Sequence, residues 1–143
     1  MQYFENSVPG RTVKVYLHPG DDVLGSIQKV IKELDIKDGY IASGIGSLSS
    51  SCLHMISTTT FPPVDRFEKW EDKPLELISV SGIIANGETH LHAMISDNKI
   101  ATGGHLEPGC RVMYLGEIVI QETKGEPLKR FRNQNNIGEL TRA

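Results

Sequence analysis

The chain has 143 residues, 38% of them apolar, and a formal net charge of −3. That length supports one domain with a single proper core. The negative balance excludes a general attraction to phosphate backbones, which needs clustered Lys and Arg, although a local basic patch stays open.

In chain order, the opening MQYFENSVPG has neither a basic stretch nor an apolar run, so no secretory leader is expected. RTVKVYLHPG alternates Val13, Val15 and Leu17 with polar neighbours, which reads as a strand closed by Pro19-Gly20. In DDVLGSIQKVIKELDI, residues Val23, Ile27, Val30, Ile31 and Leu34 recur at helical spacing, with Asp21 or Asp22 as N-cap. This is the one convincing helix. GYIASGIGSLSSSCLHMIST reads as two strands with a bend near Gly44 and Gly46, and FPPVDRF as a break, because prolines cannot donate to a ladder. PLELISVSGIIA is a strand, and Asn86-Gly87 a hairpin turn. THLHAMIS and KIATGGHL form a second hairpin, and RVMYLGEIVIQE a mostly apolar strand. The tail from Gly125 turns polar and basic and is expected to add an edge strand before fraying. No apolar run is long enough to span a membrane. The two cysteines, Cys52 and Cys110, are too few for a disulfide framework and read as reduced, buried thiols of a cytoplasmic protein. The pattern implies an α+β class: a largely antiparallel sheet with one main helix packed on it, in a single domain. The core of that domain spans about residues 10–122, and the polar tail about 123–143.

Three of the five histidines, His90, His92 and His105, fall within GETHLHAMISDNKIATGGHL. Alternation along a strand puts His90 and His92 on one face. A two-residue loop at Asp97-Asn98 sets His90 opposite His105, and His92 opposite Gly103, so three imidazoles share one small volume. A four-residue loop from Ser96 to Lys99 preserves this; a three-residue loop reverses the face of His105 unless a bulge at Gly103-Gly104 restores it. Three neutral imidazoles with an open position suit Zn2+, with Zn–N distances of about 2.0–2.1 Å. The glycines opposite the ligands leave room for an ion. Carboxylates that fix the imidazole tautomers are sought among Glu88, Glu107 and Glu117. Glu117, in an apolar strand, stands out most.

Other groups point less sharply. Cys52 and His54 share a strand face and read as a buried thiol and a hydrogen-bonded His rather than metal ligands. Cys110 reaches a metal at His105 only if the Pro108-Gly109 turn folds back. His18 reads as a strand-end surface residue. SGIGSLSSS has no P-loop Lys and does not open a helix. Lys129, Arg130, Arg132 and Arg142, with Phe131, form the best nucleic-acid feature.

The HLH of residues 90–92 and the GGHL of residues 103–106, with HPGDDVLGSI, GIGSL and GEIVI, resemble the PPC domain shared by plants and prokaryotes, over about residues 10–122. The resemblance implies a compact α+β domain that assembles as a homotrimer, with zinc on His90, His92 and His105. It also brings a DNA-binding label from plant relatives that carry an AT-hook with an Arg-Gly-Arg core. This chain has no such core. The His triad is also similar to that of acetolactate decarboxylase, a zinc lyase, whose arginine and glutamate have candidate counterparts here in Arg66, Arg111, Glu88 and Glu117. Three roles follow: a zinc domain that presents its open metal position to a small carboxylate or carbonyl compound, with a lyase as its catalytic form; a DNA-associated regulatory module; or a domain in which zinc only holds the hairpin.

Overall fold

The computed structural model describes residues 1–5 and 8–143. Nine strands and one helix follow in order: β1 Val8–Leu17, α1 Val23–Glu33, β2 Asp38–Ile56, β3 Asp65–Trp70, β4 Leu75–Ala85, β5 Glu88–Ser96, β6 Ala101–Leu106, β7 Arg111–Lys124, β8 Leu128–Arg132 and β9 Gly138–Arg142. This corrects the α+β expectation. The molecule is mostly antiparallel β-sheet, and its helix is a single element of 11 residues. Strands flank the helix on both sides and continue to the end of the chain, so strands, not helices, build most of the core.

The main sheet runs β1-β7-β2-β4-β5-β6, with β3 added on β2. β2 organises it. Its first part pairs with β4 and β7, and its last residues pair with β3 and, at Leu53 and His54, with β6. The circuit β2-β4-β5-β6 thereby closes on itself. The two strands and a bend read from GYIASGIGSLSSSCLHMIST are instead this one 19-residue strand. Register shifts at Ile41/Ser43, Gly46/Leu48 and Leu48/Ser50 against β7 absorb the bending that the glycines announced. The break expected across FPPVDRF ends early, because Asp65 already opens β3.

Leu48, Leu53, Leu91, Ile95, Leu106, Ile118 and Ile120 fill the interior, and α1 adds Val23, Leu24, Ile27 and Ile31 from its apolar stripe. Asp22 is the N-cap. Its Oδ1 accepts from Gly25 N at 2.9 Å and its Oδ2 from Gly109 N at 2.7 Å, which ties the helix start to the turn before β7. Cys52 and Cys110 are free and buried. The tail does not add an edge strand to the main sheet: β8 and β9 pair with each other as a separate two-stranded sheet. Leu128 is buried, and β8 packs against β4.

Candidate metal centre

β5 alternates cleanly. Leu91, Ala93 and Ile95 enter the core, while His90, His92 and Met94 face out. Its hairpin with β6 pairs Ser96 with Ala101 and His92 with His105, across a turn from Asp97 to Ile100. The loop is therefore two residues longer than the one that set His90 opposite His105. An even shift keeps each residue on its face, so the gathering of side chains survives the changed register. Asp97 explains the longer loop. Its Oδ1 accepts from Lys99 N at 2.7 Å and from Ile100 N at 2.8 Å, and its Oδ2 pairs with Lys73. These contacts hold the Asp97 carboxyl far below its ordinary range, with the Lys73 hydrogen bond the largest cause.

β6 also pairs with β2, His105 opposite His54. Three neighbouring strands thus set His92, His105 and His54 in a row, with His90 one same-face step from His92. Ring centroids lie 5.4 Å apart for His90–His92, 5.2 Å for His90–His105, 5.6 Å for His92–His105 and 4.5 Å for the stacked pair His54–His105. Four of the chain's five histidines form this cluster. His18 stands apart, edge-on to Tyr16.

Glu107, the residue after β6, binds two of the rings at once. Its Oε1 lies 2.5 Å from His54 Nδ1 and 3.0 Å from His105 Nδ1. A carboxylate only accepts, so in each of these contacts the proton lies on Nδ1. One donor atom from each of His54, His105 and Glu107 lies within 4.8 Å of the others. Among the described residues this is the group whose donor atoms lie that close together, and it shares His105 with the triad read from the sequence, whose rings cluster at the separations above. His54 was assigned in the sequence to a hydrogen bond, which it makes. Its place beside the triad depends on a pairing between β2 and β6, about fifty residues apart in the chain, that local pattern does not encode.

Glu88 begins β5 opposite Ala85, and Glu117 lies on β7 between Tyr16 and Ile45. Among the described residues, Glu107 is the carboxylate that meets the imidazoles. Cys110 turns inward to Ser51 and the Cys52 backbone, and burial pushes its thiol pKa up.

The four histidines, with Ser81 and Met94, line a cleft of about 500 Å³, a volume suited to a small ligand. Burial holds the pKa values of His90 and His92 below the ordinary value, and the neighbouring imidazoles add to this. Neutral rings are the form that ligates, so the donor set fits a metal that prefers imidazole. Gly103 and Gly104 border the cleft, but backbone contact is what excludes a side chain there. A Cβ on Gly103 would lie 2.9 Å from Ala93 O, and one on Gly104 2.7 Å from His54 O.

Residues 5–124 match the model of the Plants and Prokaryotes Conserved (PCC) domain family. Among solved structures, the metal-containing protein from Archaeoglobus fulgidus superposes with a TM-score of 0.79 at 24% identity, covering 95% of each chain. A plant- and prokaryote-conserved protein from Pyrococcus horikoshii gives 0.80 at 24%, covering 94% of each. A candidate DNA-binding protein from Bacteroides thetaiotaomicron gives 0.79 at 20%, covering 98% of this chain and 94% of that one. These likenesses establish the fold. The bifunctional protein GlmU of a Synechococcus strain is 29% identical over 131 residues, which is 89% of this chain but 19% of that protein. The chain thus spans about a fifth of the length of that curated relative.

Proposed function

This chain belongs to the Plants and Prokaryotes Conserved domain family, and we propose that it is a zinc-binding, homotrimeric protein whose metal site opens to a small molecule. The observation that carries this reading is the convergence of His90, His92 and His105 at centroid separations of 5.2–5.6 Å on the wall of a cleft. His90, His92 and His105 would hold the ion. Glu107 would fix the tautomers of His105 and His54, leaving His54 beside the metal as a further donor or a ligand-binding group. Zinc supplies Lewis acidity toward a carbonyl or carboxylate oxygen. That the Archaeoglobus neighbour is a metal-containing protein agrees with this reading.

Elemental analysis of tag-free protein tests it. About one zinc per chain is expected, the stoichiometry of a single site built from three histidines. Retention of that zinc in the variant carrying His90→Ala, His92→Ala and His105→Ala would overturn the assignment.

A second reading, contact with duplex DNA, draws on the basic β8–β9 hairpin and on the name of the Bacteroides protein. The hairpin gives it little support. Arg142 pairs with Glu126 at 2.7 Å, and Arg132 donates to the carbonyl oxygen of Asn136 in its own turn. Absence of a gel shift with micromolar protein at low salt ends that reading for the isolated chain.

A further inference from the structure

The cleft has two chemically different ends. Beyond the four imidazoles, its described lining is Met, Ile, Ala and Gly with two serines, and holds no Lys, Arg, Asp or Glu. Alternation places the apolar part. Met94 follows His92 by one same-face step on β5, and Ile56 follows His54 by one such step on β2. Met94 pairs with Gly103, and a Cβ on Gly103 would lie 3.1 Å from Met94 Cγ, so this thioether chain lies beside a residue with no side chain of its own. On β4, Ser81 lies opposite His92 and Ser79 opposite Met94. The cleft therefore runs from a nitrogen-donor end at the rings to an apolar end at Met94 and Ile56.

We infer that the cleft selects a small monocarboxylic acid with a short apolar chain, its carboxylate at the metal and its chain against Met94 and Ile56. This rests on the metal reading above. Charge selects the head. Imidazoles ligate as neutral rings, so a divalent ion brings two positive charges, and Glu107, hydrogen-bonded to two of the rings, offsets one. One negative charge on the ligand restores balance. A second carboxylate or a phosphate would bring a charge that no Lys or Arg of the lining meets. The apolar end selects the tail, because each CH2 removed from water there favours binding.

The test uses the full chain loaded with Co2+, whose visible bands report the ligands at the metal. The probes are acetate, butyrate and succinate: the head alone, the head with an apolar chain, and a chain that ends in a second charge. Butyrate should bind about tenfold more tightly than acetate, the scale of two buried CH2 groups, and succinate no more tightly than acetate. Met94 and Ile56 are 46% and 69% exposed, so polar replacements leave the core intact. In the double variant Met94→Ser, Ile56→Ser, the advantage of butyrate should fall to about threefold or less, with acetate affinity unchanged; each single variant carries the same comparison if the double variant does not fold. Met94→Lys should turn the preference toward succinate. Equal wild-type affinities for acetate and butyrate, a butyrate advantage that survives both replacements, or cobalt bands that no acid shifts overturn this inference while leaving the metal site standing. Failure of the wild-type protein to show cobalt bands refutes the metal reading itself, and this inference with it.

Discussion

Replacing Glu107 by Gln tests the residue on which two imidazoles depend. The amide oxygen can still accept one Nδ1–H, but the negative charge that orients both rings is lost. Metal affinity in a chelator competition should drop by about 10–100-fold, the scale for removing such a supporting carboxylate, with an unchanged far-UV spectrum. Equal affinity would show that the rings are held by strand geometry alone. A second carboxylate sets acid stability. Arg11 grips Glu122 through Nε at 2.8 Å, a second guanidinium nitrogen at 2.8 Å and its backbone N at 3.0 Å, and holds the Glu122 pKa down at about 2 against an ordinary 4.5. The unfolded chain therefore takes up the proton first. The pair stabilises the fold above about pH 4.5, and that contribution is lost as pH falls toward 2. Urea unfolding of Arg11→Met should show a deficit at pH 6 that vanishes near pH 2; a pH-independent deficit would assign Arg11 a packing role instead. The sequence pointed to the clustering residues His90, His92 and His105 because alternation is local. It placed Glu107 only among several acids, because the carboxylate's role depends on where the chain turns after β6.

At the scale of elements, the two hairpins were legible because their turn residues act locally. Asn86 and Gly87 both have positive φ, 50° and 76°, as an Asn-Gly turn requires. Around Asp97 the side chain recruits two more residues into the loop than dipeptide preference suggests, and only the even parity of that shift kept the histidines together. β3 was hidden because its first residues, Asp65 to Phe67, lie in the proline-led segment that reads as a break, and the closure of β6 onto β2 was not legible because His54 and His105 are far apart in the chain. Gly82 shows how tightly β4 and β5 are joined. Its φ is +143°, and a Cβ there would lie 2.1 Å from His90 O. Gly82→Ala should cost at least about 2 kcal/mol in urea unfolding, from strain and forced displacement of β5. It should also weaken zinc binding, because the displaced backbone carries His90. A loss of stability with metal affinity intact would separate β5 geometry from the site.

For the whole molecule, the helix drew the α+β reading because its apolar stripe is the most regular signal in the chain, yet most of the core comes from strands. The same strands expose an apolar surface. Ile45 of β2, Ile78 of β4, and Tyr114 and Leu115 of β7 line one depression, with Tyr114 68% and Ile78 50% exposed. Ile45 and Tyr16 flank Glu117 on adjacent strands and extend this face. Exposed apolar side chains grouped in this way suit an association site, and we propose this face as the one on which the homotrimer would assemble. Ile78→Asp and Tyr114→Glu each place a charge there without touching the buried core, so the folded monomer should persist. Analytical ultracentrifugation at micromolar concentration should give a trimer for the wild type and mainly monomer for the variants. A monomeric wild type would refute the trimer, and trimeric variants would move the interface elsewhere. Zinc content measured on the same samples then settles a further point about the cleft. Monomers that keep their metal own a complete site, whereas monomers that lose it borrow a ligand or a wall from the neighbouring copy.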